Sequence, residues 1–386
     1  MMDILQDIRT AMKQISIALV AVLSAAGCSN PTSPASLPVQ SSVTRPNATS
    51  ALHFKVYTAG QTPGFPTSAS AVDIAPGPNG TMWFTDDGTP AIGRIAADGT
   101  FTEFTAGLPS GATPYAIAAG PDGNMWFSDF RGVALGSVTP SGKITEFSLS
   151  HQNGATAMSI AFVRGEPWIV AVPVGKPSLL AQLTSGCTLV AHSIPGQFTP
   201  SGSLAADSHA NLFFNATNVQ MQGQLVERPH NADKLTLFPM HMHFADVGCC
   251  PNRAPRQMVI GPDGNPWFTT IYWGRKVPGA NYLGTLRAGT VRLALITEKG
   301  LSEMAYPSRI AAGNNSIWLP GSHPVLPVGA LWHVDLQGKQ KVYGLPYRPF
   351  GLTAIAAAKP FNGPRTPGAG TVNDLLVGSA IGRGSF

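Results

Sequence analysis

Residues 71–87 read AVDIAPGPNGTMWFTDD, residues 116–129 read AIAAGPDGNMWFSD, and residues 258–270 read MVIGPDGNPWFTT. One unit recurs, and a recurring unit decides a fold before any single motif does. Weaker copies lie at 160–168, 204–213 and 310–318, so the anchor aromatics Trp83, Trp126, Trp168, Phe213, Trp267 and Trp318 are separated by 43, 42, 45, 54 and 51 residues. A period in the forties, built from short apolar segments and turn dipeptides, predicts four-stranded propeller blades, with the two longer intervals marking insertions. In the first unit the pattern predicts an inner strand over 72–75, a turn at Pro78-Asn79-Gly80, and a second strand over 82–85. A third strand follows over 92–96, then a turn at Asp98-Gly99 and an outer strand over 100–104. The next unit repeats this with strands over 135–139 and 143–147 around Ser141-Gly142. Asn-Gly and Asp-Gly supply the positive φ of a tight hairpin and are read as turn residues. Each anchor tryptophan is read as packing between neighbouring blades, where one indole buries a large apolar area.

Working outward, six anchors leave both ends of the repeat unexplained. Segments 352–357 and 374–379 predict two further strands, and Ala380-Ile381-Gly382-Arg383 echoes Ala91-Ile92-Gly93-Arg94 as a third. The fourth is missing there, while residues 53–60, HFKVYTAG, have the look of the outer-strand segment 101–107, FTEFTAG. The expected fold is an all-β, seven-bladed β-propeller over 52–386, closed by the N-terminal strand joining the C-terminal blade, because closure removes exposed sheet edges. Composition agrees: 42 glycines and 34 prolines punctuate the chain too often for long helices, and 44% hydrophobic residues provide a core. A net charge of +5 with no basic run or stripe lacks the electrostatic footprint of a nucleic-acid binder.

The first 51 residues belong to another class. Arg9 and Lys13 precede an apolar stretch over 15–26, too short to span a bilayer, which predicts a cleaved export signal over 1–27. Leu23-Ser24-Ala25-Ala26-Gly27-Cys28 resembles a bacterial lipoprotein box, which would make Cys28 the lipidated first residue; the other reading is an ordinary secretory signal with an incidental cysteine. Residues 28–51 are rich in Ser, Thr and Pro and read as a flexible tether. The expected setting is the cell envelope, with the lipid anchor as the membrane contact and the propeller acting as a monomer.

The repeat consensus Gly-Pro-Asp-Gly-x-x-Trp-Phe-Thr/Ser-Asp, followed by Ile-Gly-Arg-Ile and Gly-x-x-Thr-Glu-Phe, resembles the virginiamycin B (streptogramin B) lyase family. The resemblance extends from about residue 51 to 386 and is sharpest over 71–147. It implies a seven-bladed scaffold, a bound Mg²⁺ and opening of a cyclic depsipeptide by elimination. It also implies Pro-His-Gly/Ala-Ile at the entrance to inner strands, and here this chain departs. The matching positions read Pro114-Tyr115-Ala116-Ile117 and Pro255-Arg256-Gln257-Met258, with Ser308 and Phe350 after the corresponding prolines of later blades. Neutral imidazole accepts a proton near pH 7, whereas unperturbed tyrosine and arginine are already protonated there.

Strand order places the outer-to-inner loops and the second-to-third-strand loops on one rim around the channel. Candidate ligand contacts on it are Tyr115, Arg256, Asp86, Asp129, Arg131, Tyr272 and His323, under three insertions at 240–254, 271–287 and 322–328. The first insertion carries Met240-His241-Met242-His243-Phe244 and Cys249-Cys250. His241 and His243 make half of a Zn or Cu site if Asp246 or a thiolate completes it. The reading favoured by the sequence is two surface histidines on a strand whose Met and Phe side chains pack inward. Cys249 and Cys250 are candidates for an adjacent-residue disulfide. Two functions follow from the sequence. One is a binding module for a small molecule, glycan, peptide or envelope protein; the alternative is a Mg-dependent carbon-oxygen lyase or hydrolase acting on a cyclic peptide or related small molecule.

Overall fold

The first unit shows why these residues make a blade. Asn79 and Gly80 both adopt positive φ, 55° and 72°, and turn the strand Ala71–Pro76 back into Met82–Asp86. Ala91–Ile95 and Phe101–Phe104 complete the sheet in sequence order, all antiparallel. Gly93 sits opposite Phe84 because nothing larger fits: a Cβ there would lie 2.0 Å from the ring's Cζ. Gly136 meets Phe127 in the same way at 2.1 Å, and Gly284 meets Phe268 at 2.3 Å, which explains the glycine of the Ile-Gly-Arg-Ile segment.

The computed structural model describes residues 53–130, 134–148, 156–172, 179–185, 188–195, 198–218, 223–231, 234–240, 257–272, 280–295, 310–313, 315–322, 329–344, 352–355, 371–377 and 380–385. Their strands form seven four-stranded sheets, numbered here as blades in chain order from the one just described. Blade 2 contains Pro114–Ala119, Met125–Asp129, Ala134–Val138 and Ile144–Ser148. Blades 3, 4, 5 and 6 run over 156–193, 198–239, 257–295 and 311–344. Blade 7 is composite: Leu352–Ile355, Thr371–Val377 and Ala380–Ser385 are joined at the outer edge by His53–Thr58, which pairs from His53↔Ser385 to Thr58↔Ala380. Inner strands of successive blades lie side by side, and Leu352–Ile355 approaches both blade 6 and Ala71–Pro76. The architecture is an all-β propeller.

The core lies between blades. Trp83 of blade 1 is 1% exposed and packs with Ile117, Met125 and Phe127 of blade 2, and Trp168 of blade 3 packs with Phe198, Leu204 and Phe214 of blade 4. Each large apolar side chain withdrawn here contributes roughly 1.5–3 kcal/mol. Among the described residues no helix is long and apolar enough to cross a membrane.

One expected insertion is corrected. Ile271 and Tyr272 continue the strand Pro266–Tyr272 and pair with Asn281 and Ala280 at the start of Ala280–Arg287. Much of 271–287 is therefore a lengthened hairpin, as its Thr, Ile and Tyr content favours, and Ser322 likewise extends blade 6 by pairing with Gly329.

Candidate functional site

The entrance to the inner strands is where regular pairing breaks. Register shifts fall between Ala71 and Asp73, Pro114 and Ile117, Ala157 and Ile160, Pro200 and Leu204, and Leu352 and Ala354. A bulge re-aims side chains locally, and here it recurs at the same end of five blades, facing the channel. Inside lies a cavity of about 350 Å³ whose polar lining is Asp73, Ser159, Ser203 and Gln257, one residue from each of four blades.

Two of these four act as struts. Asp73 Oδ2 accepts the Ile117 N–H at 3.0 Å, and Ser159 Oγ accepts the Leu204 N–H at 3.1 Å, tying blade 1 to blade 2 and blade 3 to blade 4. Thr85 adds a third tie by donating its hydroxyl to the Tyr115 carbonyl at 2.7 Å. Ser203 and Gln257 line the same cavity from blades 4 and 5. Tyr115 sits at the bulge of blade 2, half-buried, with its ring 5.2 Å from that of Phe130.

Asp86 and Asp129, expected as ligand contacts, are corrected by their burial at 0% and 2% exposure. Asp86 Oδ1 accepts N–H groups from Ser70 and Gly88, each at 2.8 Å, and from Thr89 at 3.4 Å; Asp129 Oδ1 accepts that of Thr113 at 3.0 Å. They hold the rim loops in place from beneath. Arg131, Arg256, His323, His241, His243, Cys28, Cys249 and Cys250 lie outside the described residues, and for Tyr272 the structure describes the backbone alone. Met240, just before the histidine pair, is 6% exposed and packs with Phe213 and Met258.

Sequence reasoning missed the partners of the two buried aspartates. Glu103 lies against Asp86, and Glu146 lies in the field of Asp129. Burial, then the Asp86 charge, pushes the Glu103 carboxyl up to about 7; burial, then the Asp129 charge, pushes Glu146 up to about 7. Burial also raises Asp86 against the lowering pull of its amide donors. The signal was in the repeat: Trp-Phe-Thr/Ser-Asp and Thr-Glu-Phe occur together in the first two units. A second missed role belongs to Asp122 and Asp263 in the Gly-Pro-Asp-Gly turns, whose carboxylates accept the indole N–H of Trp126 at 3.1 Å and of Trp267 at 2.9 Å.

The profile of the virginiamycin B lyase family matches residues 52–319. The chain belongs to the virginiamycin B lyase family. Among solved structures it is similar to a streptogramin B lyase, with TM-score 0.65 and 18% identity over 86% of this chain and 97% of that one. It is likewise similar to selenomethionine-substituted virginiamycin B lyase from Staphylococcus aureus, with TM-score 0.64 and 16% identity over 87% and 99% of the two chains. A catalytically inactive virginiamycin B lyase from Staphylococcus aureus with quinupristin matches at TM-score 0.64 and 17% identity, again over 87% and 99%. At these identities the likeness to each structure is one of fold. No curated protein matches the chain.

Membership implies Mg²⁺, and the described donors do not fit it. Among the described residues no group of three or more His, Cys, Asp or Glu converges. Asp73, the one carboxylate lining the cavity there, already has an oxygen engaged by the Ile117 amide, and a hard divalent cation wants carboxylate oxygens free to coordinate it.

Proposed function

We propose that this member of the virginiamycin B lyase family is an exported, lipid-anchored, seven-bladed propeller that binds a ligand at its channel mouth without turning it over. The observation that carries the reading is the lining of the inner-strand entrances. Among the described residues the polar side chains of the cavity wall are Asp73, Ser159, Ser203 and Gln257, and no imidazole lines it. Elimination needs a base that is unprotonated near neutral pH and placed at the substrate. Asp73 and Ser159 spend hydrogen-bonding capacity on neighbouring blades, which suits a rigid receptor better than a proton shuttle. The inactive lyase with quinupristin supports the same view, since that protein is seen with the compound when its catalysis is lost. Ser203 and Gln257 would hydrogen-bond the polar end of the occupant, with Tyr115 and Arg256 at the rim. Residues 1–27 and Cys28 supply the export signal and the anchor, which place the rim in the cell envelope to meet a small molecule, glycan, peptide or envelope protein.

The test uses quinupristin with the purified chain, with and without Mg²⁺, following heat of binding and the intact compound in one sample. Saturable binding weakened by Gln257→Ala, with the compound recovered unchanged, is the expected result. Mg²⁺-dependent ring opening abolished by Tyr115→Phe would restore the enzymatic reading and end this one.

A further inference from the structure

Blades 3 and 4 carry a second opening on the outer flank of the ring, away from the channel. A groove of about 630 Å³ lies between the strand Leu189–Ser193 of blade 3 and residues 228–237 of blade 4. Its floor is Leu180, Ile194 and Phe198, which are 2%, 2% and 7% exposed and belong to the apolar cluster joining the two blades. Leu235 and Leu237 form its wall. Among the described residues the two exposed large hydrophobics are Leu237, at 40%, and Val190, at 38%, the latter on the strand that forms the facing wall. Isolated surface hydrophobics are ordinary, but Leu237 is exposed where it lines an apolar groove, which suits a binding surface.

Arg228 and Lys234, the charged side chains lining the same groove, have one sign. Arg228 lies 5.0 Å over the Trp168 ring, and Lys234 is exposed at the rim. Neither has a carboxylate partner among the described residues, and no Asp or Glu is among those lining the groove. His192, which lines the groove, stacks on the same indole, with its ring 4.9 Å from that of Trp168. Stacking fixes the guanidinium plane, and a fixed guanidinium presents paired N–H donors that match a carboxylate. An apolar trough with cations at one end and no acid near them is complementary to an anion carried on an aliphatic body. Its volume falls in the range of small-molecule sites, roughly 300–1,000 Å³.

We propose that this groove binds a medium-chain carboxylate, with the chain along Leu180, Phe198 and Leu237 and the carboxylate between Arg228 and Lys234. The inference is independent of the channel reading. A phosphate polyanion fits less well, because only two cations line the groove and the rest of the wall is apolar.

The test titrates the full chain with decanoate and with decanol, both below the concentrations at which they self-associate, by calorimetry and by tryptophan fluorescence. The site predicts saturable decanoate binding with decanol at least tenfold weaker. Arg228→Gln with Lys234→Gln should weaken decanoate at least tenfold and leave decanol unchanged, while Leu237→Asn should weaken both. Should the double variant melt early, Lys234→Glu alone, on an exposed side chain, is expected to weaken decanoate at least threefold at unchanged melting temperature. Equal affinity for decanoate and decanol, indifference to the Lys234 change, or the absence of saturable decanoate binding would each overturn the proposal.

Discussion

Blades 1 and 2 and blades 3 and 4 share a strand plan and fill the same two positions oppositely. In the first pair a buried aspartate ends the second strand, and a glutamate on the outer strand stands across from the glycine under the blade's phenylalanine: Asp86 with Glu103, Asp129 with Glu146. In the second pair the registers put Ala171 and Ala191 in blade 3, and Ala216 and Leu237 in blade 4, at those places. Both members change together. Burial first, and the charge of the buried aspartate second, raise the proton affinity of each glutamate, and a buried aspartate is costly unless its oxygens are engaged. Losing the pair leaves an apolar flank, and Ala191 and Leu237 line the groove of blades 3 and 4. One repeat position thus serves as a titratable joint in one sector and as bare hydrocarbon in another.

The largest expected effect breaks the first half of this contrast. Asp86→Ala strips the acceptor from the amides of Ser70, Gly88 and Thr89 and should cost about 3 kcal/mol in denaturant unfolding, since buried donors left unmade are expensive. Next comes the glycine beneath the glutamate. Gly136→Ala drives a Cβ to 2.1 Å from Phe127 and should cost about 2 kcal/mol by overpacking, whereas Ala181→Gly at the matching place in blade 3 should cost under about 1 kcal/mol.

The glutamates sharpen the contrast through pH. A glutamate ordinarily titrates near 4.5, and Glu103 and Glu146 in the folded chain titrate near 7. Between those values the native state holds more protons than the unfolded one, so stability falls as pH rises from about 4.5 to about 7. Glu103→Gln and Glu146→Gln should each flatten that decline and gain about 1 kcal/mol at pH 8, less than the full shift implies because both carboxyls are partly solvent-screened. Melting curves at pH 5 and pH 8 check it; an unchanged slope would remove the joint. The smallest effect concerns Arg94, whose guanidinium lies 5.7 Å over Trp83 and donates to the Pro140 carbonyl of blade 2 at 2.9 Å. Arg94→Met should cost about 0.5–1 kcal/mol in the same assay.

The fold was legible because a blade advertises itself locally. Gly-Pro-Asn/Asp-Gly and Ile-Gly-Arg-Ile each answer a short-range demand, a positive φ or a ring pressed on a backbone, and such demands survive in sequence at fixed spacing. The pairing of His53–Thr58 with Ala380–Ser385 was legible for the same reason, since both segments echo strands of the first unit. The site was less so. Asp86 and Asp129 looked like rim ligands from their place at a strand end, and only the loop amides folded over them show otherwise. The cavity wall escaped notice because Asp73, Ser159, Ser203 and Gln257 are far apart in the chain and meet only when the inner strands surround one axis. The groove escaped because Arg228 and Trp168 come from different repeats.

The outer strand of blade 7 begins at His53 and finds its hydrogen-bonding neighbour only at Ser385. During synthesis that first segment therefore waits through more than three hundred residues with no edge to join, while six complete sheets can already form beside it. Assembly becomes all-or-nothing at its last step, and a nascent chain halted short of residue 380 keeps an open seam ready to capture the wrong strand.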